Sequence, residues 1–195
     1  MNIACLGWGS LIWNAQALPI QQCWFEDGPL LPIEFARHSK DDRITLVLTP
    51  GVRHVRSLWT PMVVPDSITA QRELAEREGI RTEDIAQYIG CWSSTGPYQG
   101  QSAAIIGQWA ARMGLDAVVW TNLPPKFHNE ARAPTVEEVL SFLQALPLEA
   151  KKRAEAYIRK APRQIDTAYR RRIEVALHWT SVTAEAITKQ QEYLL

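Results

Sequence analysis

Apolar positions in the first third of the chain fall in short runs rich in branched and aromatic side chains: Ile3 to Leu6, Ile33 to Ala36, Ile44 to Leu48 and Val55 to Trp59. Such runs predict strands. Ser39-Lys40-Asp41-Asp42 joins the second and third at hairpin spacing, while Gly28-Pro29 and Pro50-Gly51 mark turns. After Pro65 the spacing becomes helical. Asp66 or Ser67 is suited to cap a helix that runs to Gly79, a residue suited to a helix end. A second helix is predicted from Thr82, with Glu83 and Asp84 in its first turn, and Gly90 to Gly100 reads as loop. Ser102 then caps an amphipathic helix with Ile105, Ile106, Trp109 and Met113 on one side, stopped by Gly114 and followed by the strand-like Ala117 to Trp120. Thr135 and Glu138 make a capping box, and from there to Leu195 the pattern is almost wholly helical, divided by Pro147 and Pro162 in first-turn positions.

These elements predict an α+β fold: a small mixed sheet or barrel with packed helices and a helical C-terminal third. No repeat or linker interrupts the chain, so one domain is expected over 1–195. The sheet or barrel with its helices would take 1–130, and a helical extension packed on it 131–195. A length of 195 residues with 46% hydrophobic positions suits one globular core. Lysine plus arginine (21) balance aspartate plus glutamate (21), leaving no field to draw nucleic acid or an anionic membrane. Cys5, Cys23 and Cys91 fit neither a disulfide framework nor paired metal ligands. The first residues run straight into a predicted strand without a signal-peptide pattern, and no apolar run nears membrane-spanning length. The expected location is the cytoplasm.

The first strand opens into Gly7-Trp8-Gly9-Ser10-Leu11. Two glycines permit positive φ and close approach of another molecule, and successive N–H groups in such a bend can form an anion-binding nest to which Ser10 adds a hydroxyl. The plainer reading is a tight turn beside the sheet, with Trp8 and Trp13 packing the core. A dinucleotide fingerprint fails at its third glycine, where Ile12 stands, and the strands ahead read as hairpins rather than βαβ units.

The string Gly7-Trp8-Gly9-Ser10-Leu11-Ile12-Trp13 resembles the Tyr-Gly-Ser-Leu signature of the γ-glutamylcyclotransferase-like proteins, especially the ChaC-type branch, with Trp8 in the tyrosine's place. The resemblance implies that Gly7, Trp8, Gly9, Ser10 and Leu11 hold the γ-glutamyl part of a small-molecule substrate and that a later glutamate is the acid/base. The segment Leu74 to Gly79 is similar to the family's stretch ending Glu-Gly, which puts Glu78 in the catalytic position and Tyr88 in the place of a following tyrosine. No cofactor is implied.

A helical wheel over 67–79 bears on Glu78 separately. Ile68, Ala70, Gln71, Leu74 and Ala75 share its side, while Arg72, Glu73, Glu76 and Arg77 share the other. A carboxylate on the apolar side at a helix C-terminus is disfavoured when charged, which suits a group that takes a proton and returns it near neutral pH. The plainer reading is an exposed helix end. The loop after the strand ending at Trp120 offers Thr121, Asn122, Lys126 and Asn129 as further ligand-facing residues, of which Asn122 is taken as substrate-binding.

His38, His54, His128 and His178 lack metal-ligand spacing, so no metal is expected, and Ser10 has no evident histidine base for a hydrolase triad. Arg170-Arg171-Arg172 reads as a solvated face. The leading expectation is thus a cofactor-independent enzyme releasing 5-oxoproline from a γ-glutamyl amine or amide. The alternatives are a non-catalytic binding or regulatory module that keeps the pocket, and an interaction protein using the helical third.

Overall fold

A computed structural model describes residues 1–21 and 23–182. In chain order the strands and helices are β1 (Ile3–Gly7), β2 (Leu30–Leu31), β3 (Ile33–His38), β4 (Ile44–Leu48), β5 (Val55–Arg56), β6 (Leu58–Pro61), α1 (Ser67–Glu78), α2 (Ile85–Tyr88), β7 (Ile89–Ser93), α3 (Ala103–Arg112), β8 (Ala117–Thr121), α4 (Val136–Ala145), α5 (Leu148–Lys160) and α6 (Ala168–Leu177). The main sheet has the order β6-β1-β8-β7. β1 runs antiparallel to β6, with Cys5 opposite Thr60, and parallel to β8, with Cys5 opposite Val119. β7 closes the other edge antiparallel to β8. β3–β4 is a separate hairpin with a bulge between Phe35 and Arg37, and β2–β5 a short second ladder. The fold is α+β, with a mixed sheet and, among the described residues, no closed barrel.

Alternation along β1 explains how the layers stack. Ile3 and Cys5 point to one face, where Ala70, Leu74 and Ala75 of α1 cover them. Ala4 and Leu6 point to the other, into a larger core with Phe35 and Leu48 of the hairpin, Ile106 and Trp109 of α3, and Tyr157 and Ile158 of α5. A strand buried on both faces reads as an unbroken apolar run, as Ile3 to Leu6 does. The helix limits follow their caps: Asp66 accepts from Thr69 N at 2.7 Å, Gly79 adopts the left-handed conformation (φ 65°), and Thr135 with Glu138 makes a complete capping box.

Several expectations are corrected. Gly90 begins no loop but sits in β7, where a Cβ would lie 2.1 Å from the Trp120 ring, so the glycine serves an indole rather than a turn. Val55 to Trp59 is split at Ser57, whose hydroxyl donates to Pro29 O at 2.8 Å. The helix expected from Thr82 is a 3-10 turn followed by the single turn of α2. Ser102 makes no side-chain cap and has φ 62°. Pro162 falls between α5 and α6, which starts instead from the Thr167 cap. Arg170 is buried, donating to the carbonyls of Ala161, Pro162 and Ile165, and so is no part of a solvated face. The helical reading beyond 182 lies outside the described residues. Among the described residues no helix is long and apolar enough to cross a membrane.

Candidate functional site

β1 and β8 are parallel, so their C-terminal ends open at the same edge of the sheet, and a cleft of about 710 Å³ lies there. Gly7 to Leu11 leave β1 into one wall, and Glu78 reaches it from the last turn of α1. The β3–β4 hairpin supplies another wall, from Arg37 to Arg43. Thr121 ends β8, Lys126, His128 and Asn129 follow it, and Tyr157 comes from α5.

The first loop is an amide-lined bend. Ile12 N donates to Gly9 O at 3.0 Å and Asn14 N to Ser10 O at 2.9 Å, which curls the chain back over itself. Among the described residues the N–H groups of Gly9, Ser10 and Leu11 have no protein acceptor. Trp8 anchors the loop, its buried indole donating to Leu46 O at 3.2 Å. The glycines are not there for positive φ, which neither adopts. They are there for space: a Cβ would lie 2.6 Å from the Trp24 ring at position 7 and 2.5 Å from Tyr157 Oη at position 9.

Glu78 faces this loop across one residue that the helical wheel misassigned. Arg77 was expected on the solvated side, yet its side chain is only 7% exposed and that of Glu78 17%. Arg77 Nη1 pairs with Glu78 Oε1, while Nη2 donates to Asn14 O at 2.6 Å and to Ser10 Oγ at 3.3 Å. An arginine long enough to fold back from the last helical turn thus ties the acid to the bend. Its guanidinium places a positive charge directly beside the carboxylate. Conversely, Ile68 is 61% exposed although the wheel put it beside Glu78.

Of the sequence-derived site residues, Gly7, Trp8, Gly9, Ser10, Leu11 and Glu78 line the cleft, and so do Thr121, Lys126 and Asn129. Tyr88 and Asn122 do not. Asn122 is a structural clip, accepting from Gln101 N at 2.8 Å and donating to Gln87 O at 3.0 Å. Tyr88 ends α2, where its carbonyl receives Asn122 N–H. The hairpin wall and Tyr157 were missed. Asp41 stands 2.6 Å from Arg43 Nε, and His38 3.4 Å from Asp42. Ser39 and Arg43 hold Asp41 below its ordinary carboxylate range despite partial burial. Arg37 donates to Pro124 O at 2.6 Å, joining hairpin to loop. The charge-rich Ser39 to Arg43 turn was the available sign of a polar wall, but nothing local in the sequence marks Tyr157.

Ser10 has no histidine partner in this arrangement, since its hydroxyl meets Arg77. Among the described residues no group of three or more His, Cys, Asp or Glu side chains is disposed to hold a metal ion. Comparison with known protein families, curated proteins and solved structures finds no match for the chain.

Proposed function

We propose that the chain is a γ-glutamylcyclotransferase-like enzyme that releases 5-oxoproline from a γ-glutamyl amine or amide. The observation that carries this reading is that the half-buried Glu78 and the amide-lined Gly7 to Leu11 bend, far apart in sequence, open onto one cleft. The free N–H groups of Gly9, Ser10 and Leu11 and the Ser10 hydroxyl would hold the amino-acid end of the substrate, placing its α-nitrogen near its own γ-carbonyl. Glu78 takes a proton from the α-ammonium, the freed nitrogen bonds to the γ-carbon, and the carbon–nitrogen bond to the amine breaks as Glu78 delivers a proton there. A second proton follows the same route, so the amine leaves as ammonium and Glu78 ends as carboxylate. No redox step or co-reactant is involved. Three free cysteines support a reducing compartment, in keeping with action in the cytoplasm.

The deciding experiment is a search for 5-oxoproline release from a panel of γ-glutamyl amines, amides and peptides, repeated with Glu78→Gln. Loss of release in a folded variant supports the assignment, whereas persistent release ends it. The contact between Glu78 and Arg77 favours one second reading, a binding module in which the acid is engaged structurally. Thermal stabilisation by γ-glutamyl compounds without turnover would select that reading.

A further inference from the structure

Tyr157 lies in α5, remote in sequence from the other groups of the site, yet its phenol reaches the cleft beside the first loop. Oη accepts from Leu46 N at 3.2 Å, and it occupies the space that a side chain at position 9 would need, 2.5 Å from a Cβ there. The ring is held on several sides. Trp13 meets it edge-on at 5.4 Å between centroids, Phe35 at 6.5 Å, and the Arg43 guanidinium stands 5.3 Å from its centroid.

A phenol carries one proton to donate and lone pairs to accept. Here an accepting position is taken by Leu46, but among the described residues Oη donates to nothing. Buried hydroxyls ordinarily find an acceptor, and Gly9, Leu46 and Tyr157 all border the cleft. An amide that donates into the oxygen also polarises the O–H bond, strengthening it as a donor.

We infer that Tyr157 is a second catalytic group of this site, its O–H donating to the γ-carbonyl oxygen of the substrate and holding the negative charge that develops there. The inference rests on the cyclotransferase reading. As the α-nitrogen bonds to carbon, the carbonyl π pair moves onto oxygen beneath the Tyr157 donor. When the amine leaves with the proton from Glu78, the pair returns and the carbonyl of 5-oxoproline forms. Burial pushes the phenol up to about 12, so it is still protonated at neutral pH. The small residue at position 9 then has a chemical meaning, because only glycine lets the donor sit against the bend.

The test is Tyr157→Phe, read as separate kcat and KM for 5-oxoproline release alongside a thermal melt. Loss of a donor to a developing oxyanion lowers kcat by roughly 10²-fold with KM little changed. An unchanged kcat overturns the role, and so does a rise in KM alone, which would mean ordinary ground-state binding. Should phenylalanine prevent folding, 3-fluorotyrosine at 157 keeps the shape and lowers the phenol pKa. The alkaline fall of kcat then moves to lower pH, and a limb that stays in place overturns the role. A wild-type protein that turns over no γ-glutamyl compound sinks the parent reading and this inference with it, whereas turnover untouched in Tyr157→Phe sinks this inference alone.

Discussion

On one side of the cleft the polar groups are buried and mutually held, with Arg77 joining Glu78, Ser10 and the Asn14 carbonyl. Another wall, the hairpin turn, carries half-exposed Asp41, Asp42 and Arg43 and an exposed Lys40, in contacts that water can replace. Both walls are charged, but the chemistry that a charge can do differs with its burial. A nearly buried pair has strong fields and few alternative partners, so each member depends on the other. Solvated pairs are screened and individually weak. Glu78 lies on the buried wall and the open charges on the hairpin wall.

Arg77→Met would break that contrast most severely. It leaves the Glu78 carboxylate and the Asn14 carbonyl without their donor, and loss of one partner of a buried pair costs about 3–5 kcal/mol. Adding Glu78→Gln should restore part of the lost melting temperature, and strictly additive losses would show that the two side chains are not coupled. Gly9→Ala comes next, because its methyl would overlap Tyr157 Oη, and overpacking of this kind costs about 1–3 kcal/mol. The same substitution in a Tyr157→Phe background should cost less, as measured by denaturant unfolding. An equal cost in both backgrounds would contradict the contact.

Tyr157 also makes a pH prediction. Its folded value, about 12, is raised above the ordinary 10.0. The native state therefore keeps a proton that the unfolded chain gives up, and stability present below pH 10.0 is lost as the pH rises toward 12. Unfolding free energies across that interval should fall more steeply in the wild type than in Tyr157→Phe, by at most about 1.4 kcal/mol per pH unit. Lys40→Ala on the hairpin is the mild end of the series and should stay within about 0.5 kcal/mol of the wild type by thermal melt.

Much of the fold was legible because local rules agreed. The run Ile3 to Leu6, the hairpin turn at Ser39 to Asp42, the Asp66 and Gly79 ends of α1 and the Thr135 capping box all act within a few residues. The misread elements depend on distant partners. Gly90 belongs in a strand because Trp120 lies across it, and Arg170 is buried because the carbonyls of the segment after α5 receive it. The site divides the same way. Glu78 and the first loop could be paired from sequence, but the wheel treated Arg77 as rigidly outward and could not see it fold back to Asn14. Tyr157 meets Leu46 across a separation of 111 residues, a contact that no periodicity encodes.

Because β1 and β8 run in the same direction, the segments that leave them issue from one rim of the sheet. One is short and pinned by an indole and an arginine, whereas the other, from Thr121 to the cap at Thr135, is longer and reaches the hairpin through the Arg37 contact. Descendants of this chain could lengthen or recolour that second segment and so reshape one wall of the cleft, while the pinned first loop and the strand ladder stay untouched. The shape of the cleft and the integrity of the sheet would then be free to change on separate evolutionary clocks.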